Sequence, residues 1–245
     1  TEQDSDILEV KKNSIIIENQ VKTVSNKKTY KKFNKLNIFD KTYRNESIFS
    51  NYFKEILDQF LKNNIPTFST LAYGQTGSGK TYTLFGSPKN KGVLYNIMEY
   101  LFSNNIVPTL SCLEIYGDKI YDIQNNKAFI QIYDAYNSLK YSREVIEKKL
   151  DSYKTFCSLF GYILSNRVTG ITKLNDSSSR SHLIVKIKFN HKTIYIIDLA
   201  GNEKGKYSLA HKNKILLQEY IGINKSLFSL KECIRAISLN NKYIP

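Results

Sequence analysis

Cysteine is scarce in this chain of 245 residues: Cys112, Cys157 and Cys233 stand alone, odd in number and without a Cys-x-x-Cys pair. That excludes a disulfide scaffold, argues against a cysteine-based zinc site, and makes a reducing cytoplasm the expected surroundings. Proline occurs only four times and glycine 11 times, too few for a Pro-rich linker or a collagen-like repeat. With no low-complexity block either, one domain over residues 1–245 is the better reading. No apolar run approaches the roughly 18 residues of a membrane span, and no secretory signal is legible at the start. Acidic residues are also short, 22 against 36 Lys+Arg, which leaves a net charge of +14 and a pI near 9.5. A surface of that sign attracts polyanions: nucleic acid, anionic membrane or an acidic protein face. The richness in Lys, Asn, Ile and Tyr is also what AT-rich codons produce, so charge alone does not choose among them.

Hydrophobic periodicity outlines an alternation of strands and helices. Ser14 to Ile17 reads as a strand, followed by a basic stretch from Lys22 to Lys35 expected to form an exposed hairpin or loop. Ile48 to Leu61 carries Phe49, Phe53, Ile56, Leu57, Phe60 and Leu61 at helical spacing. Phe68 to Tyr73 is an apolar run that ends in a glycine-rich turn, with a helix from Lys80. Gly92 to Phe102 reads as a helix, and Val107 to Tyr116 and Lys119 to Ile123 as strands around Gly117-Asp118. A helix from Asp151 follows, with Phe156, Leu159, Phe160, Ile163 and Leu164 in its stripe. Leu183 to Phe189 and Thr193 to Leu199 are two neighbouring strands, the second expected to be central. A last helix from about Glu219 to Ser238 points Ile223, Leu227, Leu230, Ile234 and Ile237 inward. The fold class implied is α/β.

Three segments carry chemistry. Gly74-Gln75-Thr76-Gly77-Ser78-Gly79-Lys80-Thr81 is a complete G-x-x-x-x-G-K-T phosphate loop between a strand and a helix. Its glycines let backbone N–H groups curl around phosphate oxygens, Lys80 reaches the β- and γ-phosphates, and the Thr81 hydroxyl is suited to Mg²⁺. Gln75, Thr76, Gly77, Ser78, Gly79, Lys80, Thr81 and the adjoining Tyr82 are the candidate nucleotide contacts. Asp198-Leu199-Ala200-Gly201-Asn202-Glu203 ends a buried strand, where a phosphate-loop fold keeps its second Mg²⁺-linked carboxylate. Asn175 to His182 clusters Ser177, Ser178, Ser179 and Ser181 around Arg180, as suits a loop that closes on Mg²⁺ and γ-phosphate. Read alone, His182 is a capping or packing histidine.

At these three segments the chain resembles the kinesin motor family, which carries G-Q-T-G-x-G-K-T, N-x-x-S-S-R-S-H and D-L-A-G-x-E in that order. Further matches are Ile38-Phe39-Asp40, Leu113-Glu114-Ile115-Tyr116 with Tyr121-Asp122, the spacing of Arg167, Gly170 and Thr172, and Ile223-Asn224-Lys225-Ser226-Leu227. The resemblance implies a P-loop NTPase kinesin-motor fold: a central, mostly parallel sheet flanked by helices on both faces. Family elements before Thr1 and after Pro245 have no counterpart, so the domain is expected to be incomplete at both termini.

By that resemblance the chain is an ATPase with ATP/ADP and Mg²⁺ as cofactors. Ser178, Ser179, Arg180, Gly201 and Glu203 are its implied catalytic set, and Thr81, Ser179 and Asp198 its metal set. The implied partner is tubulin, contacted by Lys204, Lys206, Lys212, Lys214, Lys225, Lys231 and Arg235, with no nucleic acid and no membrane span. Location on cytoplasmic microtubules, including the spindle, follows from the same likeness. Asn202 and Lys231-Glu232-Cys233-Ile234-Arg235-Ala236 look like the internal-motor subfamily, which depolymerises microtubules. A translocating kinesin and a tubulin-binding module with weak turnover are the alternatives.

Overall fold

The computed structural model describes residues 7–11, 14–19, 29–34, 37–39, 42–87, 90–135, 138–168, 179–202 and 214–244. Three strands near the start, β1 (Ile7–Lys11), β2 (Ser14–Asn19) and β3 (Thr29–Asn34), form their own antiparallel sheet. The expected strand from Ser14 is therefore present, and part of the basic stretch after it is a strand too.

A helical run then carries the first face of the core. Helix α1 (Asn45–Ile48) widens into a π-helical turn (Phe49–Phe53) and continues as α2 (Lys54–Lys62). Phe53, Leu57 and Phe60 are its buried side. The chain leaves α2 at Asn63 in an extended conformation and enters β4 (Thr67–Ala72) after Pro66. Lys192 fastens this corner. Its buried ammonium donates to the carbonyls of Phe60, Asn63 and Ile65 at 2.9, 2.6 and 3.2 Å, satisfying helix-end acceptors that would otherwise be orphaned. The start of β4, and with it the loop that follows, is set from below.

Helix α3 (Lys80–Phe85) follows that loop, and the short pair β5 (Gly86–Ser87) and β6 (Asn90–Lys91) leads into α4 (Val93–Ser103). Strands β7 (Thr109–Tyr116), β8 (Lys119–Asp122) and β9 (Ala128–Ile130) come next, then the hairpin β10 (Ile132–Ala135) and β11 (Ser138–Tyr141), and the short β12 (Lys148–Lys149). Helix α5 (Tyr153–Val168) starts just after Ser152, whose hydroxyl accepts the Thr155 N–H at 3.1 Å. The chain closes with β13 (His182–Phe189), β14 (Lys192–Asp198) and helix α6 (Lys214–Ser238).

The central sheet has the order β4-β14-β13-β7-β8-β9, with β12 also on β7. It is mixed, which corrects the expectation of a mostly parallel sheet. Only β14 and β4 run parallel among the described pairings. The cause is local: β7–β8 and β13–β14 are joined by two-residue turns, at Gly117 (φ 61°) and at Asn190 (φ 50°), and so short a link joins only antiparallel strands.

Helices cover both faces. On one, Leu57, Leu84, Val93, Ile97, Phe156 and Phe160 pack against Leu110, Cys112, Leu183, Val185, Ile187, Ile194 and Ile196. On the other, Ile223, Leu227 and Leu230 of α6 meet Ile197, Leu199 and Ala200. The inward stripe expected for α6 stops there: Ala236 is buried, while Ile234 and Ile237, on other faces of the same turns, are 50% and 59% exposed.

Candidate active site

The site lies at the carboxyl ends of β4 and β14, which the parallel register places side by side, Asp198 opposite Ala72. Gly77 and Gly79 take φ of 81° and 88°. A Cβ at either would meet no atom within 4 Å, so the backbone angle rather than crowding demands glycine there. The loop closes on itself through Ser78 N–H to Gln75 O at 3.2 Å, and Lys80 Nζ donates to the same carbonyl at 2.9 Å. Tyr82, one turn into α3, is 46% exposed, and its carbonyl accepts the Asn45 side-chain amide at 2.9 Å.

Thr81 and Asp198 meet directly, Oγ1 donating to Oδ2 at 2.8 Å across 117 residues of sequence. The same carboxylate oxygen takes Arg167 Nη1 at 2.6 Å, and Arg167 Nη2 donates to Ser181 O at 2.9 Å. Arg167 and Asp198 are 2% and 0% exposed, so this is a buried ion pair. Oδ1 of Asp198 is buried with no partner among the described residues. A hydroxyl, a carboxylate with a spare buried oxygen and the nearby Ser179 are the hard oxygen donors that suit Mg²⁺ shared with phosphates. Among the described residues no cluster of His, Cys, Asp and Glu could cage a metal unaided.

The two segments that the kinesin resemblance makes its first and second switch, described over residues 179–182 and 198–202, are joined here. Gly201 N–H donates to Ser179 O at 2.9 Å, and Asn202 N–H to Gly74 O at 3.3 Å, so the segment after Asp198 touches both other motifs. Ser181 Oγ donates to Glu114 Oε1 at 2.7 Å, while Lys127 Nζ lies 3.3 Å from Oε2. Arg180, the residue before Ser181, is half-buried. Ser178, Glu203, Lys204, Lys206 and Lys212 lie outside the described residues, and Lys214 is placed as the first residue of α6. Lys225, Lys231 and Arg235 are exposed on α6. Lys231 Nζ sits 5.4 Å from the centre of the Tyr73 ring at the mouth of the phosphate loop, and Arg235 lies 3.8 Å from Glu232.

Sequence reasoning gave Arg167 no role beyond its spacing. A single Arg in the last turn of an apolar helix carries no local mark of its destination, a carboxylate 31 residues on.

The kinesin motor domain family model matches residues 1–245. The chain belongs to the kinesin motor domain family. Kinesin-like protein KIP3 of Saccharomyces cerevisiae is 32% identical over 238 residues, covering 83% of this chain and 28% of that protein. Kinesin-related protein 7 of Dictyostelium discoideum is 26% identical over 233 residues, covering 84% and 18%. The chain thus spans less than a third of the length of these curated relatives.

Among solved structures, KIF14 as a two-heads-bound dimer with AMP-PNP on a microtubule superposes with a TM-score of 0.79 at 24% identity, over 98% of this chain and 75% of that one. A fast kinesin superposes at 0.78, also 24% identical, over 98% and 72%. Those likenesses establish the kinesin fold. No described helix is long and apolar enough to cross a membrane.

Proposed function

We propose that this kinesin motor domain hydrolyses ATP to ADP and phosphate, that microtubules stimulate the turnover, and that loss of the γ-phosphate changes its grip on tubulin. The observation that carries the reading is the Thr81–Asp198 contact, which joins the phosphate loop to the second switch, with Ser179 on the next residues through Gly201. Lys80 exchanges Gln75 O for β- and γ-phosphate oxygens, and Gly201 N–H exchanges Ser179 O for a γ-phosphate oxygen. Thr81, Asp198 and Ser179 would hold Mg²⁺, which neutralises phosphate charge when bound. Arg180 and Glu203 pair on closure and order the attacking water. Catalysis on this plan is positioning and electrostatics.

Tubulin, acidic at its surface, is the polyanion that the +14 balance suits. The structures of KIF14 in complex with a microtubule support a tubulin partner. An ATPase assay with and without microtubules tests the reading. Tubulin binding without stimulated turnover would leave a binding module instead. Depolymerisation of microtubule ends is the finer reading, favoured by the exposed Lys231 and Arg235 and by the basic strand β3, and filament shortening under the microscope decides it. The expected cellular place is the microtubule cytoskeleton, with the spindle one site of action.

A further inference from the structure

His182 joins the segment after β14 to helix α6, two elements that also meet in apolar packing. It opens β13 and is 6% exposed. Its Nδ1 accepts the Ala200 N–H at 2.9 Å, and a backbone N–H can only donate, so the proton of the neutral ring sits on Nε2. Nε2–H then donates to Ser226 Oγ at 2.8 Å, and that hydroxyl gives its own hydrogen to Ile223 O at 2.8 Å, back along α6. An imidazolium would have no lone pair for Ala200. Burial, then the Arg167 charge, hold the ring neutral, with the nearby Asp198 only partly opposing them.

Ala200 precedes Gly201, whose N–H meets Ser179 O; the two N–H groups lie on adjacent peptide units that share the Ala200 Cα, so a shift of the Gly201 N–H that carries this Cα displaces the Ala200 N–H too. The His182 ring must then follow and pull Ser226, or a buried ring nitrogen is left unpaired at the full desolvation cost. Apolar packing of Ala200 on Ile223 and Leu227 is non-directional and sets no such demand.

We infer that His182 is a positioning residue that couples movement of the Ala200–Gly201 peptide to helix α6 through Ser226, an inference that rests on the motor reading above. It touches no reacting atom.

The test measures amide hydrogen exchange over residues 223–234 in the full chain with ADP and with AMP-PNP. The parent is expected to show a difference between the two nucleotides, and Ser226→Ala to lose it. Ser226→Thr, which restores the hydroxyl, should regain it. His182→Asn, whose side-chain oxygen can replace Nδ1 but is too short to reach Ser226, should behave as Ser226→Ala. Basal ATPase of Ser226→Ala stays at the parent value, whereas stimulation by microtubules falls about fivefold or more. If Ser226→Ala and His182→Asn keep the parent's exchange difference, or if the parent shows none, the coupling is refuted. A parent that shows the difference yet no stimulation by microtubules refutes the motor reading and leaves the coupling standing.

Discussion

Arg167→Met keeps the length of the side chain and deletes its charge, which isolates what the guanidinium does for Asp198. In the parent, Oδ2 of that fully buried carboxylate receives Nη1 at 2.6 Å and Thr81 Oγ1 at 2.8 Å, while Oδ1 has no partner among the described residues. Without Arg167 the carboxylate is a buried anion facing one hydroxyl. Deleting one member of a buried pair costs about 3–5 kcal/mol, most of it the desolvation of the charge left behind. The lost donor to Ser181 O adds about 1 kcal/mol. At about 2–4 °C per kcal/mol for a domain of this size, the melting temperature should fall by roughly 10–20 °C.

Asp198→Asn supplies the decisive partner variant, because it removes the stranded charge. The double variant Arg167→Met/Asp198→Asn should therefore be more stable than the sum of the single losses predicts, by about 2–3 kcal/mol. Chemical denaturation of all four proteins followed by circular dichroism measures both quantities. A cost for Arg167→Met below about 1 kcal/mol, or strictly additive losses, would refute the account of the pair as mutually dependent charges.

Three further outcomes are expected. Lys80→Ala should weaken ATP binding about 100-fold by titration calorimetry, the loss of a charge-assisted bond, while stability hardly changes because its present contact with Gln75 O is exposed. Charge reversal at Lys225, Lys231 and Arg235 should abolish microtubule co-sedimentation; reversal at the exposed Lys62, Lys148 and Lys149, at the opposite end of the sheet, should not, and equal loss from both would mean that binding follows bulk charge. Burial lowers the His182 pKa from 6.5 to about 4, so the unfolded chain takes up this proton before the folded one does. Stability from this residue is complete above pH 6.5 and falls between pH 6.5 and 4, by about 2 kcal/mol at pH 5. His182→Asn should flatten that part of a denaturation-versus-pH curve, and an unchanged slope would count against a neutral buried ring.

What the sequence made legible was local. The strand before Gly74, the helix from Lys80, and the stripes Phe156–Phe160–Ile163 and Ile223–Leu227 all stand where periodicity put them, because each is a property of adjacent turns or alternate residues. Strand direction was less legible. A family likeness to nucleotide-binding sheets suggested parallel pairing, whereas Gly117-Asp118 and Asn190-His191 leave room only for hairpins. Ile234 and Ile237 carry the right spacing for an inward stripe, yet spacing says nothing about what lies opposite. Arg167 and Ser226 were legible only as motif positions without a partner, since their roles exist only once β13, β14 and α6 converge. His182 reads from sequence as a capping or packing residue, and its two nitrogens acquire direction only from Ala200 on one side and Ser226 on the other.

The contacts within the site bear on why closure on a nucleotide would be reversible. Lys80 Nζ holds Gln75 O and Gly201 N–H holds Ser179 O, so these two groups assigned to phosphate already have neutral carbonyl partners. Under the proposed function, binding exchanges one acceptor for another and creates no new donor. A neutral hydrogen bond contributes about 1 kcal/mol net, and an anionic oxygen makes a bond roughly twice as strong as a carbonyl does. The driving force is then the difference between the two acceptors, and it depends on the phosphate's charge. When the γ-phosphate departs, Ser179 O is the nearest acceptor to reclaim Gly201 N–H, and the peptide carrying Ala200 N–H returns with it. Under the proposed function the first switch would in this way supply the second with its resting partner, and the return would be a property of the chain's own backbone.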